Sequence, residues 1–282
     1  MAPRPNRKLV NVPPGAQDPL SYAVSQRDLS VVDTVREAVA FRQTMLAFQP
    51  IMRASNPGKV AFYEGLIRVL DPTGRVVPAG EFMSLVEPTE LGREIDVEAL
   101  RLGLQALRAN PGLRLSVNMS ARSIGYGDWQ KTLLRHIRRD PTVGERLILE
   151  ITEPSAMLVP ELVVSAMDEY QRYGVCFALD NYGAGQTAIR YFKDFYFDIL
   201  KIDGQFVRGI SANPDNRVIT AALISIAGHF DMLTVAESVE RAEDAALLTE
   251  MGVDCLQGFY FGAPTVQPDW LRRNVQKGAA TG

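Results

Sequence analysis

Seven short apolar runs in this chain each end on a single polar residue, and that register restricts the fold more than any other feature. Run 60–63 ends at Glu64, 113–117 at Asn118, 147–149 at Glu150, 175–179 at Asp180, 199–200 at Lys201, 233–236 at Glu237 and 253–256 at Gln257. Continuous apolar runs of this kind read as buried strands. Amphipathic stretches lie between them. The clearest is 90–109, where Leu91, Ile95, Leu100, Leu104 and Leu107 recur near helical spacing and Asn110-Pro111 stops the pattern. Similar patterns cover 33–46, 129–138, 160–173, 216–229 and 242–251, with Gly174, Gly228 and Gly252 where helix C-terminal caps are expected.

Strands alternating with helices imply βαβ units, a mostly parallel sheet and right-handed crossovers. Successive strand-end residues are 54, 32, 30, 21, 36 and 20 positions apart, several close to the ~30 residues of one βαβ unit. The 282 residues suit either two domains of about 150 residues or one α/β barrel of about 250. In a closed barrel the strand ends converge on one face, where active sites form, whereas an open sheet spreads them along an edge. The register therefore favours one barrel over residues 31–276, after a flexible N-terminal arm at 1–30 and before a disordered tail at 277–282. Converging four carboxylates is costly unless cations neutralise them, and hard oxygen donors suit Mg²⁺, Mn²⁺ or Ca²⁺ rather than thiophilic metals.

Composition excludes several classes. With 30 Lys+Arg against 33 Asp+Glu, the formal charge of -3 argues against a protein that coats duplex DNA. Cys176 and Cys255 stand far apart inside apolar runs, which predicts buried inert thiols and fits a reducing cytoplasm. No apolar run approaches the ~18 residues of a membrane span. Residues 1–19 are polar and Pro-rich, without the apolar stretch of a secretory signal.

The motifs match a known family. The chain resembles the EAL domain, the bacterial phosphodiesterase barrel that linearises cyclic di-GMP, from about Asp33 to Pro264. Phe48-Gln49-Pro50-Ile51 is similar to the family's opening Tyr-Gln-Pro-Ile. Glu64-Gly65-Leu66, followed by Arg68, stands for Glu-Ala-Leu. Asn118-Met119-Ser120, Glu150-Ile151-Thr152-Glu153, Lys201-Ile202-Asp203, Glu237-Ser238-Val239-Glu240 and Gln257-Gly258-Phe259 resemble the family's later motifs, and Asp180-Asn181-Tyr182-Gly183 stands for Asp-Asp-Phe-Gly. The resemblance implies a TIM-like (β/α)₈ barrel with an antiparallel first strand, and two divalent cations, Mg²⁺ or Mn²⁺. It implies Glu64, Asn118, Glu150 and Asp180 at the first metal, with Asp180 bridging to the second beside Asn181. It makes Glu64, Lys201 and Glu237 catalytic, with Lys201 holding the attacking water. Gln49, Leu66, Arg68, Glu240 and Gln257 fall on the substrate side, and Glu153 anchors the loop 182–188. Cyclic di-GMP is the implied ligand, in a homodimer, with a protein partner reached through the N-terminal arm.

The sequence departs from the pattern on one half of the site. Asn181 stands where the family places a second Asp, which removes a charge beside the second cation while keeping an amide oxygen. Ala184 and Gln186-Thr187-Ala188 replace hydroxyl-bearing residues, Ser238 replaces Gly, Gly65 replaces Ala, and Pro154 follows Glu153. Three readings result: a phosphodiesterase of reduced activity, an inactive EAL domain that binds cyclic di-GMP or docks a partner, and an unrelated carboxylate–Mg²⁺ barrel enzyme. Ala79-Gly80-Glu81-Phe82 echoes a cyclase signature without its acidic pair. His229 reads as a structural helix end, His136 and 135–140 as solvated surface, and 191–196 as core and dimer surface.

Overall fold

The computed structural model describes residues 19–183 and 193–271, and the side chains from residue 24 onward. Among them the strands are β1 (Thr44–Arg53), β2 (Asn56–Leu70), β3 (Val76–Pro78), β4 (Leu115–Asn118), β5 (Leu147–Thr152), β6 (Cys176–Tyr182), β7 (Ile199–Ile202), β8 (Leu233–Ala236) and β9 (Cys255–Gln257). The helices are α1 (Pro19–Ala40), α2 (Met83–Val86), α3 (Glu90–Ala109), α4 (Gly127–Arg139), α5 (Glu153–Ala156), α6 (Pro160–Gln171), α7 (Gly204–Val207), α8 (Pro214–His229) and α9 (Ala242–Glu250).

Strand order β1-β9-β8-β7-β6-β5-β4-β2, closed by β1 on β2, makes an eight-stranded barrel, with β3 appended outside the ring on β2. β1 runs antiparallel to both of its neighbours, and the other ring contacts are parallel. This is the TIM-like barrel with an antiparallel first strand that the motifs imply.

A large apolar core lies between strands and helices, including Leu100, Leu104, Leu115, Leu149, Phe177, Leu200 and Leu256. A second cluster comprises Ile51, Phe62, Ile148, Ala178, Ile199, Val235 and Cys255. It forms the floor beneath the polar residues. Moving two residues along each parallel strand from Phe62, Ile148, Ala178, Ile199, Val235 and Cys255 gives Glu64, Glu150, Asp180, Lys201, Glu237 and Gln257. On antiparallel β1 the same step runs backward, from Ile51 to Gln49. Side chains two apart share a face, so on these seven strands an apolar residue lies beneath a polar one, while on β4 the same step runs from buried Ser116 to Asn118.

Several expectations change. Residues 19–30, read as arm, belong to helix α1, whose later residues Val35 and Ala38 are buried in the core. The predicted helix 33–46 stops at Ala40, because 44–46 already pair with β2. Glu64 lies mid-strand, since the long β1–β2 hairpin carries the ladder on to Leu70. Gly228 sits inside the last turn of α8; Asp231, at φ 56°, takes the left-handed position beyond it. Gly174 and Gly252 do adopt positive φ, 80° and 89°, just beyond α6 and α9. Cys255 is buried but Cys176 is only half-buried. Residues 1–18, 184–192 and 272–282, which hold most of the arm, the departures at 184–188, Tyr191 and the tail, lie outside the described residues. Tyr196 is exposed while Phe195 and Phe197 are buried. No described helix is long and apolar enough to cross a membrane.

Candidate active site

The polar layer gathers on one ammonium group. Lys201 Nζ lies 2.8 Å from Glu237 Oε1, 2.9 Å from Glu150 Oε2, 3.2 Å from Glu64 Oε2 and 3.2 Å from Asp180 Oδ1. Its side chain is 1% exposed, so screening by water is weak and each pair counts. Gln257 Nε2 donates to Glu64 Oε2 at 2.6 Å and to Gln49 Oε1 at 3.1 Å. Asn118 Nδ2 donates to Glu64 Oε1 at 2.8 Å. Gln49 in turn donates to the Gly262 carbonyl at 3.2 Å. Sequence positions 49 to 257 thus meet in one buried network.

The electrostatics follow from four carboxylates sharing one cation. Burial works against the Lys201 charge, but Asp180, Glu150, Glu237 and Glu64 push its pKa well above the usual lysine value. It is an ammonium and cannot serve as a base. Burial also opposes ionisation of Glu64, yet Lys201 and the hydrogen bonds from Gln257 and Asn118 hold it below the usual range. Burial, with Glu64 and Asp180 nearby, raises Glu150 well above that range. Burial, with Asp180 and Glu64, pushes Glu237 up to about 8 against the pull of Lys201. The site is short of positive charge.

That shortage bears on metal binding. Glu150 Oε1 and Gln257 Oε1 are buried and accept no hydrogen bond among the described residues. The donors are hard oxygens, the class that divalent Mg²⁺ and Mn²⁺ prefer. The carboxylates close on Lys201 rather than on each other: among the described residues no three His, Cys, Asp or Glu side chains already form a metal cage. Donor chemistry, unpaired oxygens and missing charge all fit a cation at Glu64, Asn118, Glu150 and Asp180.

Two backbone irregularities aim the acidic residues. β6 and β7 pair at Leu179↔Leu200 and next at Tyr182↔Ile202, so Asp180 and Asn181 bulge against the single residue Lys201. Asn181 takes φ 56°, a left-handed position that Asn tolerates better than most residues. Its Nδ2 donates to Asp180 Oδ2 at 3.1 Å. Ser238, directly after Glu237, also has φ 56°. Its Oγ accepts from Arg208 Nη2 at 3.0 Å. Gly204 makes room for it, since an added Cβ there would lie 2.4 Å from that hydroxyl.

The remaining expected residues divide. Leu66, with Glu64, Asn118, Asp180 and Asn181, lines a cavity of about 320 Å³ whose far wall includes Met83, Glu87 and Asp96. Arg68 is half-buried on the Glu64 face of β2, and its Nη1 donates to the Ile67 carbonyl at 2.9 Å. Glu153 is buried, and its Oε2 accepts from the Gly183 N–H at 2.9 Å; Pro154 fits the first turn of α5, where no N–H is needed. Glu240 is exposed and paired with Arg208 at 3.5 Å.

Asp96 escaped the sequence reading. It is buried on α3, and its Oδ2 accepts from the Ser120 N–H at 2.9 Å and the Ser123 hydroxyl at 2.6 Å. The signal was available: Asp96 falls on the apolar stripe with Ala99, Leu100 and Gly103, where a charge has no place unless it is bonded.

The comparisons with known proteins agree with this geometry. A family profile described as "EAL domain" matches residues 32–264. The signaling protein YkoW of Bacillus subtilis (strain 168) is 30% identical over 82% of this chain and 29% of its own length. The bifunctional diguanylate cyclase/cyclic di-GMP phosphodiesterase MucR of Pseudomonas aeruginosa is 28% identical over 86% of this chain and 36% of its own. The chain therefore spans only about a third of these relatives. Among solved structures, the PaMucR phosphodiesterase in its c-di-GMP complex superposes with TM-score 0.72 at 27% identity, covering 84% of this chain and 97% of that one. The FimX EAL domain from Pseudomonas aeruginosa bound to c-di-GMP superposes with TM-score 0.76 at 23% identity, covering 84% and 97%, a likeness of fold. With its barrel, its carboxylate ring and this match over most of its length, the chain belongs to the EAL domain family.

Proposed function

We propose that this chain hydrolyses cyclic di-GMP to the linear dinucleotide. The observation that carries the reading is the ring of Glu64, Glu150, Asp180 and Glu237 around the buried Lys201, braced by Asn118 and Gln257. Two divalent cations, Mg²⁺ or Mn²⁺, held by Glu64, Asn118, Glu150 and Asp180 with Asn181 at the second, would supply the Lewis acidity that a phosphodiester needs. The chain's own groups do the rest. Lys201 keeps its proton and holds negative oxygen, either of the attacking water or of the phosphate. Glu237, its carboxylate 2.8 Å from the Lys201 ammonium, takes the water's proton as the water oxygen bonds to phosphorus and the bond from phosphorus to the leaving ribose oxygen breaks, and the freed alkoxide ends as a hydroxyl by taking up that proton. Gln49 and Gln257 fix Glu64, so that its carboxylate need not reorganise. Leu66 offers an apolar wall to a base, and Arg68 offers positive charge to a phosphate. Glu153 holds Gly183 and with it the start of the loop after Asp180. The reading includes a homodimer, a cytoplasmic setting and regulatory input through the N-terminal segment.

One observation favours a second reading, a cyclic di-GMP receptor without turnover. Asn181 presents an N–H donor to Asp180 and adds no charge where the family has a carboxylate, which weakens the second cation's hold. Incubation with cyclic di-GMP and Mg²⁺ or Mn²⁺, followed by chromatography, separates the two. Linear dinucleotide that disappears in Glu64→Ala supports the enzyme. Tight binding with no product at any metal concentration overturns it and leaves the receptor.

A further inference from the structure

We propose that Asp96 is a positioning residue for the metal-binding wall of the site, acting through a chain of buried hydrogen bonds that ties together the ends of β4, β5 and β6. The role rests on the metal-dependent reading above.

Asp96 touches none of the expected ligands. Its Oδ2 takes two bonds from the 3₁₀ turn that follows Asn118, from Ser120 N–H and Ser123 Oγ. The turn is then joined sideways to the next strand end. Ser155 Oγ accepts from the Ala121 N–H at 2.9 Å and lies 3.4 Å from Ser120 Oγ, and the Met119 N–H bonds the Glu150 carbonyl at 2.9 Å. Ser155 shares the short helix α5 with Glu153, whose carboxylate holds Gly183. One carboxylate on α3 thus begins a line that passes Asn118, Glu150 and the segment carrying Asp180 and Asn181.

Alternatives for Asp96 are weak. Among the described residues it has no ion pair, and the charged neighbour that acts on it is Glu87, of like sign. A buried carboxylate that gains no cation is costly, and an apolar residue would fill the same face of α3 without that penalty. The carboxylate is useful because one oxygen can accept both a backbone N–H and a hydroxyl, fixing a turn whose first residues continue directly from a ligand. Partners that orient ligands in this way are worth about 10- to 100-fold in metal affinity when removed.

The test is Mn²⁺ titration followed by electron paramagnetic resonance, on the full chain and on Asp96→Ala, Asp96→Asn and Ser123→Ala, with a thermal melt of each. The amide introduced by Asp96→Asn would keep an acceptor oxygen for both donors. Expected results are a midpoint about 10- to 100-fold higher for Asp96→Ala, a smaller rise for Ser123→Ala, and a midpoint for Asp96→Asn close to that of the unaltered chain. A lowered melting temperature with unchanged midpoints in Asp96→Ala and Ser123→Ala makes Asp96 merely structural and overturns the proposal. Should Asp96→Ala not fold, an unchanged midpoint in Ser123→Ala overturns it equally. If the unaltered chain binds no Mn²⁺, the metal-dependent reading itself falls and takes this role with it, an outcome visible before any variant is compared.

Discussion

Asp96→Asn should remove a pH dependence of stability that the carboxylate imposes. Burial, the largest effect, pushes the Asp96 carboxyl from its ordinary 3.8 up to about 7, with Glu87 adding to the shift and the bonds from Ser123 and Ser120 opposing it. A group whose folded pKa is raised favours the folded state fully below its unfolded pKa. That advantage disappears as pH climbs from about 4 through about 7, because the unfolded chain releases the proton first. At 1.36 kcal/mol per unit the whole effect is about 4 kcal/mol. Slightly under 2 has already gone by pH 5, leaving roughly 2 to 3 kcal/mol between pH 5 and pH 8. Asn carries no titrating proton and can still accept from Ser120 and Ser123. The stability gap between Asp96→Asn and the unaltered chain should therefore widen in favour of Asn over that window. Subtracting the two cancels the titrations of Glu150 and Glu237, which both proteins share. Thermal melts at pH 5, 6, 7 and 8 suffice, since 1 kcal/mol moves the midpoint of a chain this size by about 2–4 °C, so the gap should grow by roughly 4–12 °C. A gap that stays constant across the series refutes the reasoning, because Asp96 would then titrate alike in both states.

Asn181→Asp should raise turnover of cyclic di-GMP by about 10- to 100-fold, or about 1.4–2.7 kcal/mol of barrier; an unchanged rate in the chromatographic assay shows that the second cation is not the defect. Lys201→Met strands four carboxylates, of which Glu64, Glu150 and Asp180 are buried, and should cost about 3–5 kcal/mol. Millimolar Mn²⁺ should restore part of that loss in a thermal melt, and no Mn²⁺ effect would mean that the carboxylates hold no cation. Ser238→Gly relieves a left-handed serine worth about 1–2 kcal/mol and loses an exposed hydrogen bond from Arg208, so urea denaturation should show a net gain of up to about 1 kcal/mol; a loss would mean that the Arg208 bond outweighs the strain.

Residue order alone specified the barrel and most of its polar layer. Helix α3 begins and ends where the spacing of Leu91 to Leu107 and the Asn110-Pro111 stop place it. Glu64, Glu150, Asp180, Lys201 and Gln257 each follow an apolar run, and a side-chain period of two puts them above the inner apolar floor once the sheet closes. What sequence could not supply was any fact arising from closure. That Lys201 faces four carboxylates at once depends on strands 137 positions apart meeting across the barrel axis. That Glu240 pairs with Arg208, 32 positions earlier, is likewise a fact of the folded chain. Asp96 shows the division most clearly. Its place on an apolar stripe marked it as bonded to something, but the partners, Ser120 and Ser123, lie 24 and 27 residues away. Periodicity reports which face of an element a residue occupies. Only the packing of α3 against the end of β4 decides what that face meets.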